Sequence, residues 1–194
     1  MSAAEPLPPR VLPASATPPP TLRGGAATVL APMRAEVYPT YVQAAVAGYA
    51  EDNIRCGRWP ALGALERSLA EFQSLLPQGL ATPDNHLFEI LAHADGPAIG
   101  HLWFAVEDHH GQRGGYVYDV DVEPAHRRQG HARRAFELLE RFAAELGLTR
   151  IGLHVFGDNP GAQALYRQLG YAVTGISMVK ALDRGAPCAP ADRP

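Results

Sequence analysis

Three stretches in the middle of the chain read as β-strands, and only short turns separate them. They run from Leu87 to His93, from Ala98 to Val106 and from Gly115 to Glu123. The turns between them, Asp95-Gly96-Pro97 and His109-His110-Gly111, are too short for the connection that joins parallel neighbours. Consecutive strands must therefore run antiparallel, and the sequence predicts a meander at the centre of the fold.

The segments around this meander alternate between helix and strand patterns. A helix from Gly130 to Leu146 precedes a strand from Ile151 to Phe156, and a helix between two strands implies a parallel crossover. The predicted fold class is therefore α/β, a mixed and mainly antiparallel sheet with helices on both faces. The other predicted elements are a strand at Ala27 to Ala31, helices at Glu36 to Tyr49 and from about Pro60, a short helix at 161–169 and closing strands from Tyr171 to Lys180.

The helix that begins near Pro60 carries an apolar stripe. Its large apolar residues recur at spacings of three and four, which lines one face of the helix and predicts that this face packs inward. They are Leu62, Leu65, Leu69, Phe72 and Leu76.

Composition divides the chain into one domain and two tails. Its 194 residues suffice for one well-buried domain, and seven of the 18 prolines fall in the first twenty positions. Because so proline-rich a stretch cannot bury enough apolar area to offset its ordering, residues 1–25 are predicted to be a disordered arm. Residues 26–182 would form the domain and residues 183–194 a flexible tail.

Charge and composition argue against several classes of partner. A net charge of −3 gives no general affinity for nucleic acid, and no apolar run is long enough to span a membrane. The amino terminus lacks the apolar stretch of a signal peptide, and Cys188 lies in a proline-rich tail where a disulfide is not expected. We therefore expect a cytoplasmic protein. His109 and His110 have no further ligand at metal spacing, so no metal is expected either.

The loop between the last strand of the meander and the next helix contains Arg127, Arg128, Gln129, Gly130, His131 and Ala132. It opens on a helix amino terminus, where backbone N–H groups have no partner within the helix and the dipole is positive. Gly130 lets the backbone approach a phosphate, and the two arginines add positive charge. The loop predicts an anion site, although by itself it fits equally well a basic loop that caps a helix. Neither G-x-G-x-x-G nor the Walker pattern is present.

Two motifs together carry a family resemblance. The Arg-x-x-Gly-x-Ala loop after a strand ending in Val-x-Pro resembles the pyrophosphate loop of the GNAT superfamily of N-acetyltransferases. Residues 159–171 resemble the family's N-x-x-A-x-x-L-Y-x-x-x-G-[FY] segment at every marked position. The resemblance extends over about residues 27–181. It implies a GNAT-like domain with a parallel pair of strands that splays at the cofactor site, and acetyl-CoA as co-substrate.

The resemblance also implies roles for individual residues. The backbone of Val120 and Val122 would bind the pantetheine arm beside a bulge, and the Val122 N–H would stabilise charge on the thioester carbonyl. The loop at 127–132 would hold the pyrophosphate. Asn159 would bind the pantetheine or cap the short helix that follows it. Tyr166 would donate a proton to the leaving thiolate, or would only pack against the cofactor.

The base that deprotonates the amine is left open. His154, in Leu153-His154-Val155, has a side chain suited to proton transfer near neutral pH. Asp119 and Asp121 alternate onto one strand face, and they could attract a cationic amine or pass its proton on through water. Each of the three could instead be structural, a half-buried histidine or a solvated strand face.

These features predict an N-acetyltransferase that acts on a primary amine by direct attack in a ternary complex. No cysteine stands on the last meander strand or at Ile151 to Phe156 to form an acyl-enzyme. The alternative is a non-catalytic acyl-CoA-binding sensor with the same fold. The acceptor, a small-molecule amine or a peptide or protein amine, is not determined, and a homodimer is left open. The acceptor site is expected around Tyr49 to Asn53, Arg58 and Trp59.

Overall fold

The computed structural model describes residues 18–23, 28–109 and 111–180. Most of the predicted arm and all of the predicted tail lie outside those residues, although Leu22–Arg23 form a short strand. The elements in chain order are β1 (Leu22–Arg23), β2 (Val29–Pro32), α1 (Tyr38–Arg55), α2 (Ala64–Leu75), β3 (Asn85–Leu91), β4 (Ala98–His109), β5 (Gln112–Val122), α3 (His131–Glu145), β6 (Ile151–Leu153) and α4 (Pro160–Gln168).

The sheet has the order β1-β2-β3-β4-β5-β6, so each strand pairs with its neighbour along the chain. The meander of β3, β4 and β5 is antiparallel, as the short turns predict. β6 pairs parallel to β5 after the α3 crossover, with Gly115–Val117 opposite Ile151–Leu153. The single mixed sheet with one parallel pair is confirmed.

Helices cover both faces of the sheet. Successive strand residues point to opposite sides, so each face has its own apolar side chains for the helices to pack on. On one face α3 and α4 pack on a cluster that includes Phe88, Leu102 and Phe136. On the other face α1 and α2 pack on a second cluster, which includes Leu87 and Trp103. The two clusters make the domain a three-layer structure around one sheet.

The prediction that the apolar stripe near α2 packs inward is wrong for three of its five residues. Leu62, Leu65 and Leu69 are exposed by 91%, 54% and 42%, whereas Ala64 and Ser68 are buried. Small side chains at the contact let α2 approach α1 closely, and the Ser68 hydroxyl donates a hydrogen bond of 2.8 Å to the Val46 carbonyl. Phe72 and Leu76, also members of the predicted stripe, do lie in the core. Close helix packing has overridden the leucine periodicity.

The carboxyl-terminal strands are shorter than predicted. β6 ends at Leu153 instead of Phe156, because the Phe156 carbonyl accepts bonds from the Asn159 N–H and the Gln163 side chain and so enters a turn. The predicted closing strands from Tyr171 to Lys180 are not formed, and residues 172–180 are exposed. With only three residues, β6 offers an edge too short for a regular ladder.

Candidate active site

The strands β5 and β6 part beyond their three-residue pairing. β5 continues from Val117 to Val122 while β6 ends at Leu153, and no other strand of the described chain lies on that side of residues 118–122. The register between β4 and β5 shifts at the same place: Phe104 pairs with Val117 and Trp103 with Asp119, which leaves Tyr118 as the extra residue of a bulge. A gap thus opens in the sheet next to a bulge, as the sequence motifs imply.

The backbone of Val120 and Val122 faces this gap. The Glu123 N–H donates to the Ile99 carbonyl on β4 at 2.8 Å. Because N–H groups alternate in direction along a strand, those of Val120 and Val122 point away from β4. The Val122 carbonyl points the same way and accepts a bond of 2.6 Å from the Arg127 Nε. These main-chain groups can therefore hydrogen-bond an extended ligand that enters the gap.

The loop before α3 presents unpaired backbone donors. The first helical bond runs from the Arg134 N–H to the Gly130 carbonyl, which leaves the N–H groups of His131, Ala132 and Arg133 without a helical partner. Arg128 and Gly130 adopt φ values of 63° and 84°, which fold the loop back over this end of the helix. Three N–H groups without a helical partner at the positive end of a helix dipole are donors of the kind that bind phosphates.

The side chains of this loop stabilise its conformation, and its arginines carry positive charge. The Arg127 guanidinium binds the Val122 carbonyl and, at 2.9 Å, the Asp121 carboxylate. The Gln129 side chain donates to the Ala125 carbonyl, and Ala132 packs against the core cluster. His131 Nδ1 lies 2.9 Å from the Thr28 hydroxyl, and burial, with the nearby Arg134 and His126, lowers the pKa of His131. A neutral, anchored His131 supports the loop more than it adds charge.

Tyr166 lies on α4 with its ring in the core. It is 8% exposed and packs against Phe136 and Tyr171, at ring-centroid distances of 5.3 and 5.8 Å. Burial, and to a smaller extent the Asp119 charge, raises the pKa of Tyr166 to about 12. The Asp119 charge thus acts on the Tyr166 phenol, although the two residues lie on β5 and α4. Asn159 caps α4, with its Oδ1 accepting the Ala162 N–H at 3.0 Å.

Asp119 belongs to a cluster that the sequence reasoning missed. Its Oδ2 accepts a hydrogen bond of 3.2 Å from the Tyr41 hydroxyl on α1 and lies 3.0 Å from His101 Nε2 on β4. The Tyr41 and His101 rings also touch edge to face, with centroids 4.8 Å apart. Only the register of β4 against β5, which pairs His101 with Asp121, brings these residues together. A single sequence carries no signal for that register.

His154, the predicted base, lies just beyond the end of β6. Its ring contacts Phe156 at 5.1 Å between centroids. Partial burial and the positive charge of Arg58 lower the pKa of His154. The structure therefore places His154 directly after β6, in contact with the Phe156 ring and influenced by the Arg58 charge.

The predicted acceptor region consists of aromatic and charged side chains that contact one another. Tyr49 packs edge to face on Trp59 at 5.3 Å, and the Arg67 guanidinium lies 5.1 Å above the Trp59 ring. Asp52 forms an ion pair with Arg55, which also reaches Asp158 at 2.5 Å, before α4. Asn53 is fully buried and donates to the Tyr49 carbonyl. The Asp52 carboxylate is therefore committed to Arg55.

No helix among the described residues has the length and apolar character needed to cross a membrane.

Comparison with known proteins gives consistent matches. The model of the Acetyltransferase (GNAT) family matches residues 51–171. An uncharacterized N-acetyltransferase of Bacillus subtilis, YycN, is 33% identical over 154 residues, which cover 79% of this chain and 98% of the relative. A second B. subtilis relative, YdgE, is 33% identical over 156 residues, or 80% of this chain and 99% of the relative. The crystal structure of YycN superposes with a TM-score of 0.75 over 80% of this chain and 98% of YycN.

Proposed function

The chain belongs to the GNAT family of acetyltransferases, and we propose that it moves an acetyl group from acetyl-CoA to a primary amine by direct attack in a ternary complex. The observation that carries the proposal is that three features converge on the end of β5 that β6 does not reach. They are the Val120 and Val122 N–H groups on that side of β5, the amino terminus of α3, whose loop is tied to β5 by the bond from Arg127 to the Val122 carbonyl, and Tyr166, on whose phenol the Asp119 charge acts.

The residues around the gap fit acetyl-CoA, which would supply an activated acetyl thioester. The free N–H groups at the start of α3 suit a pyrophosphate, and Arg128 adds positive charge to the same loop. The N–H groups of Val120 and Val122 suit the amides of a pantetheine arm. An arm bound there would bring the thioester carbonyl to the Val122 N–H, which would stabilise the oxyanion. Asn159 contributes by capping α4 and so fixing Tyr166.

Tyr166 is the proposed general acid. With its pKa raised to about 12 by burial and by Asp119, the phenol stays protonated at physiological pH and can donate to a departing thiolate. Asp119 is proposed to attract the cationic amine, because its carboxylate charge acts on that phenol. The sequence also named His154 and Asp121 in connection with proton removal. Of these, Asp121 is paired with Arg127, which reduces its part in proton transfer.

The alternative function is a non-catalytic acyl-CoA sensor with the same fold. It predicts acetyl-CoA binding without turnover on any amine. The hydroxyl of Tyr166 favours the enzyme, because binding alone would need only the ring, which packs on Phe136 and Tyr171. The cytoplasmic location and a homodimer stay predictions.

Two glycines allow a matched test of the acetyl-CoA site. Gly130 (φ 84°) precedes α3, and Gly147 (φ 72°) follows it, so a valine is strained at both ends of one helix. Gly130→Val should displace the loop N–H groups and weaken acetyl-CoA binding by at least about 100-fold, since each charge-assisted bond contributes about 1.5–3 kcal/mol. Calorimetric titration and the acetyl-CoA-dependent shift in melting temperature measure the loss.

Gly147→Val is the control for backbone strain alone. It should lower the melting temperature about as much as Gly130→Val while retaining acetyl-CoA affinity. Equal affinity in the two variants would refute the pyrophosphate assignment.

A further inference from the structure

We propose that His101, held by Asp119 and Tyr41, is the base that takes the proton from the acceptor ammonium through a bridging water. This inference rests on the proposed acetyl transfer and replaces His154 in the role of base. It assigns functions to residues of β4 and α1 that neither sequence motif contains.

The geometry orients both His101 and Asp119. His101 Nε2 lies 3.0 Å from Asp119 Oδ2, an arrangement in which the ring donates its Nε2 proton and keeps the Nδ1 lone pair for a new proton. The Tyr41 hydroxyl bonds the same oxygen, so Asp119 is fixed from two elements. Among the described residues, His101 Nδ1 and Asp119 Oδ1 make no hydrogen bond, and the two side chains are 26% and 29% exposed. Both atoms are therefore available to solvent and ligand.

The other carboxylates around His101 are already paired. Glu89, opposite His101 on β3, is buried and binds Arg34 through its two oxygens at 2.9 and 3.0 Å. Asp121, opposite His101 on β5, is bound by Arg127 at 2.9 Å. Asp119 binds a hydroxyl and the imidazole instead of a guanidinium. Its charge is therefore the one available to stabilise an imidazolium and to receive a cationic amine.

The electrostatics of the cluster suit a base near neutral pH. Burial lowers the pKa of His101, but the hydrogen bond and charge of Asp119, with the charge of Asp121, raise the pKa above 6.5 overall. His154 differs, because burial and the Arg58 cation both lower its pKa. Of the two histidines, His101 is the better proton acceptor, and it belongs to the same cluster as the carboxylate that couples to Tyr166.

The proposed steps balance in atoms and charge. The ammonium binds Asp119 Oδ1 and passes one proton through water to His101 Nδ1, which becomes an imidazolium. The freed nitrogen lone pair forms the bond to the thioester carbonyl carbon, the carbon–sulfur bond breaks, and Tyr166 gives its proton to the sulfur. The second nitrogen proton then restores the Tyr166 hydroxyl. His101 releases its proton to solvent, so each turnover frees one proton.

The test measures coenzyme A release against pH with four amines: spermidine, tobramycin, lysine and a peptide with a free amino terminus. The wild-type rate should fall at acid pH with an apparent pKa above the 6.5 of a free imidazole, because a protonated His101 cannot accept a proton. His101→Gln should lower the rate at neutral pH by about 100-fold. It should also replace that limb by a rise toward the amine's own pKa, about 10 for a lysine side chain and about 8 for a peptide amino terminus.

Three further variants separate the explanations. His154→Gln tests the competing base, and the acid limb should persist in this variant. Asp119→Asn should move the acid limb to lower pH, because it removes the charge that raises the pKa of His101. NMR titration of the His101 ring in Asp119→Asn should show the same shift without any turnover. Tyr41→Phe should weaken binding of the amine more than it changes the pH profile.

The outcomes distinguish the two proposals. An acid limb that survives in His101→Gln, or one that disappears in His154→Gln, overturns the role of His101 while leaving acetyl transfer intact. A wild-type protein that binds acetyl-CoA but acetylates none of the four amines overturns the transfer itself. If the His101→Gln protein does not fold, the NMR titration of Asp119→Asn is the deciding measurement. An unmoved His101 pKa in that variant contradicts the proposed coupling.

Discussion

The two faces of the sheet are built on different principles. On the α3 and α4 side, the core is a continuous apolar cluster, and the proposed ligand-binding groups are backbone N–H groups at a helix terminus and a strand edge. On the α1 and α2 side, buried Asn53, Ser68 and Glu89 interrupt the core, and Asp119 bonds the side chains of Tyr41 and His101. Backbone binding suits a cofactor shared by a whole family. Side-chain chemistry suits an acceptor that differs from one member to the next.

The difference explains which residues can be read from motifs. A backbone site needs glycine, proline and a cap at fixed spacings along one segment, and such spacings are visible in a single sequence. A side-chain site draws on several elements, so its members lie far apart in the chain. Three experiments test this contrast, and their expected effects range from about 4 kcal/mol to less than about 0.5 kcal/mol.

The largest effect is expected from the two phenylalanines that anchor the faces. Phe136→Ala should cost about 4 kcal/mol of unfolding free energy, because the ring is fully buried in the apolar cluster. Phe72→Ala should cost about 3 kcal/mol, since the α1 and α2 side is less uniformly apolar. Urea unfolding measures both. A larger loss at Phe72 would contradict the assignment of the main core to the α3 and α4 side.

The next effect is kinetic and concerns Tyr166. Tyr166→Phe should lower kcat by about 100-fold, or about 2.7 kcal/mol, with the KM for acetyl-CoA unchanged. Tyr171→Phe is the matched control, because its hydroxyl is buried with no partner among the described residues and its ring lies beside Tyr166. Because the pKa of Tyr166 is about 12, the wild-type rate should not decline below about pH 10 through loss of this proton. Similar rates for Tyr166→Phe and wild type would remove the acid role.

The smallest effect tests the orientation of α2. Leu65→Gln should change the unfolding free energy by less than about 0.5 kcal/mol, because the side chain is 54% exposed. Ser68→Leu, on the buried side, should cost about 2 kcal/mol through overpacking against α1. Thermal and urea unfolding of the pair measure the difference. If Leu65→Gln were the more destabilising change, the sequence periodicity would be right and the packing of α2 wrong.

The leucine stripe of α2 and His101 show why part of the prediction failed. The stripe is a local pattern, but which face of a helix turns inward depends on how closely its neighbour approaches. Ala64 and Ser68 permit the closer contact with α1, so the leucines remain outside. His101 had no local pattern at all, because its partner Asp119 lies 18 positions away on another strand.

What the sequence determined by itself is what neighbouring residues can impose. The short turns required an antiparallel meander, the α3 crossover required a parallel pair, and the loop at Arg127 to Ala132 required an open helix terminus. Each follows from the limited reach of the backbone and from hydrogen bonds within one segment. The tertiary structure alone decided the inward face of α2 and the meeting of Tyr41, His101 and Asp119. Those outcomes depend on strand register and helix approach, which are set by contacts between residues far apart in the chain.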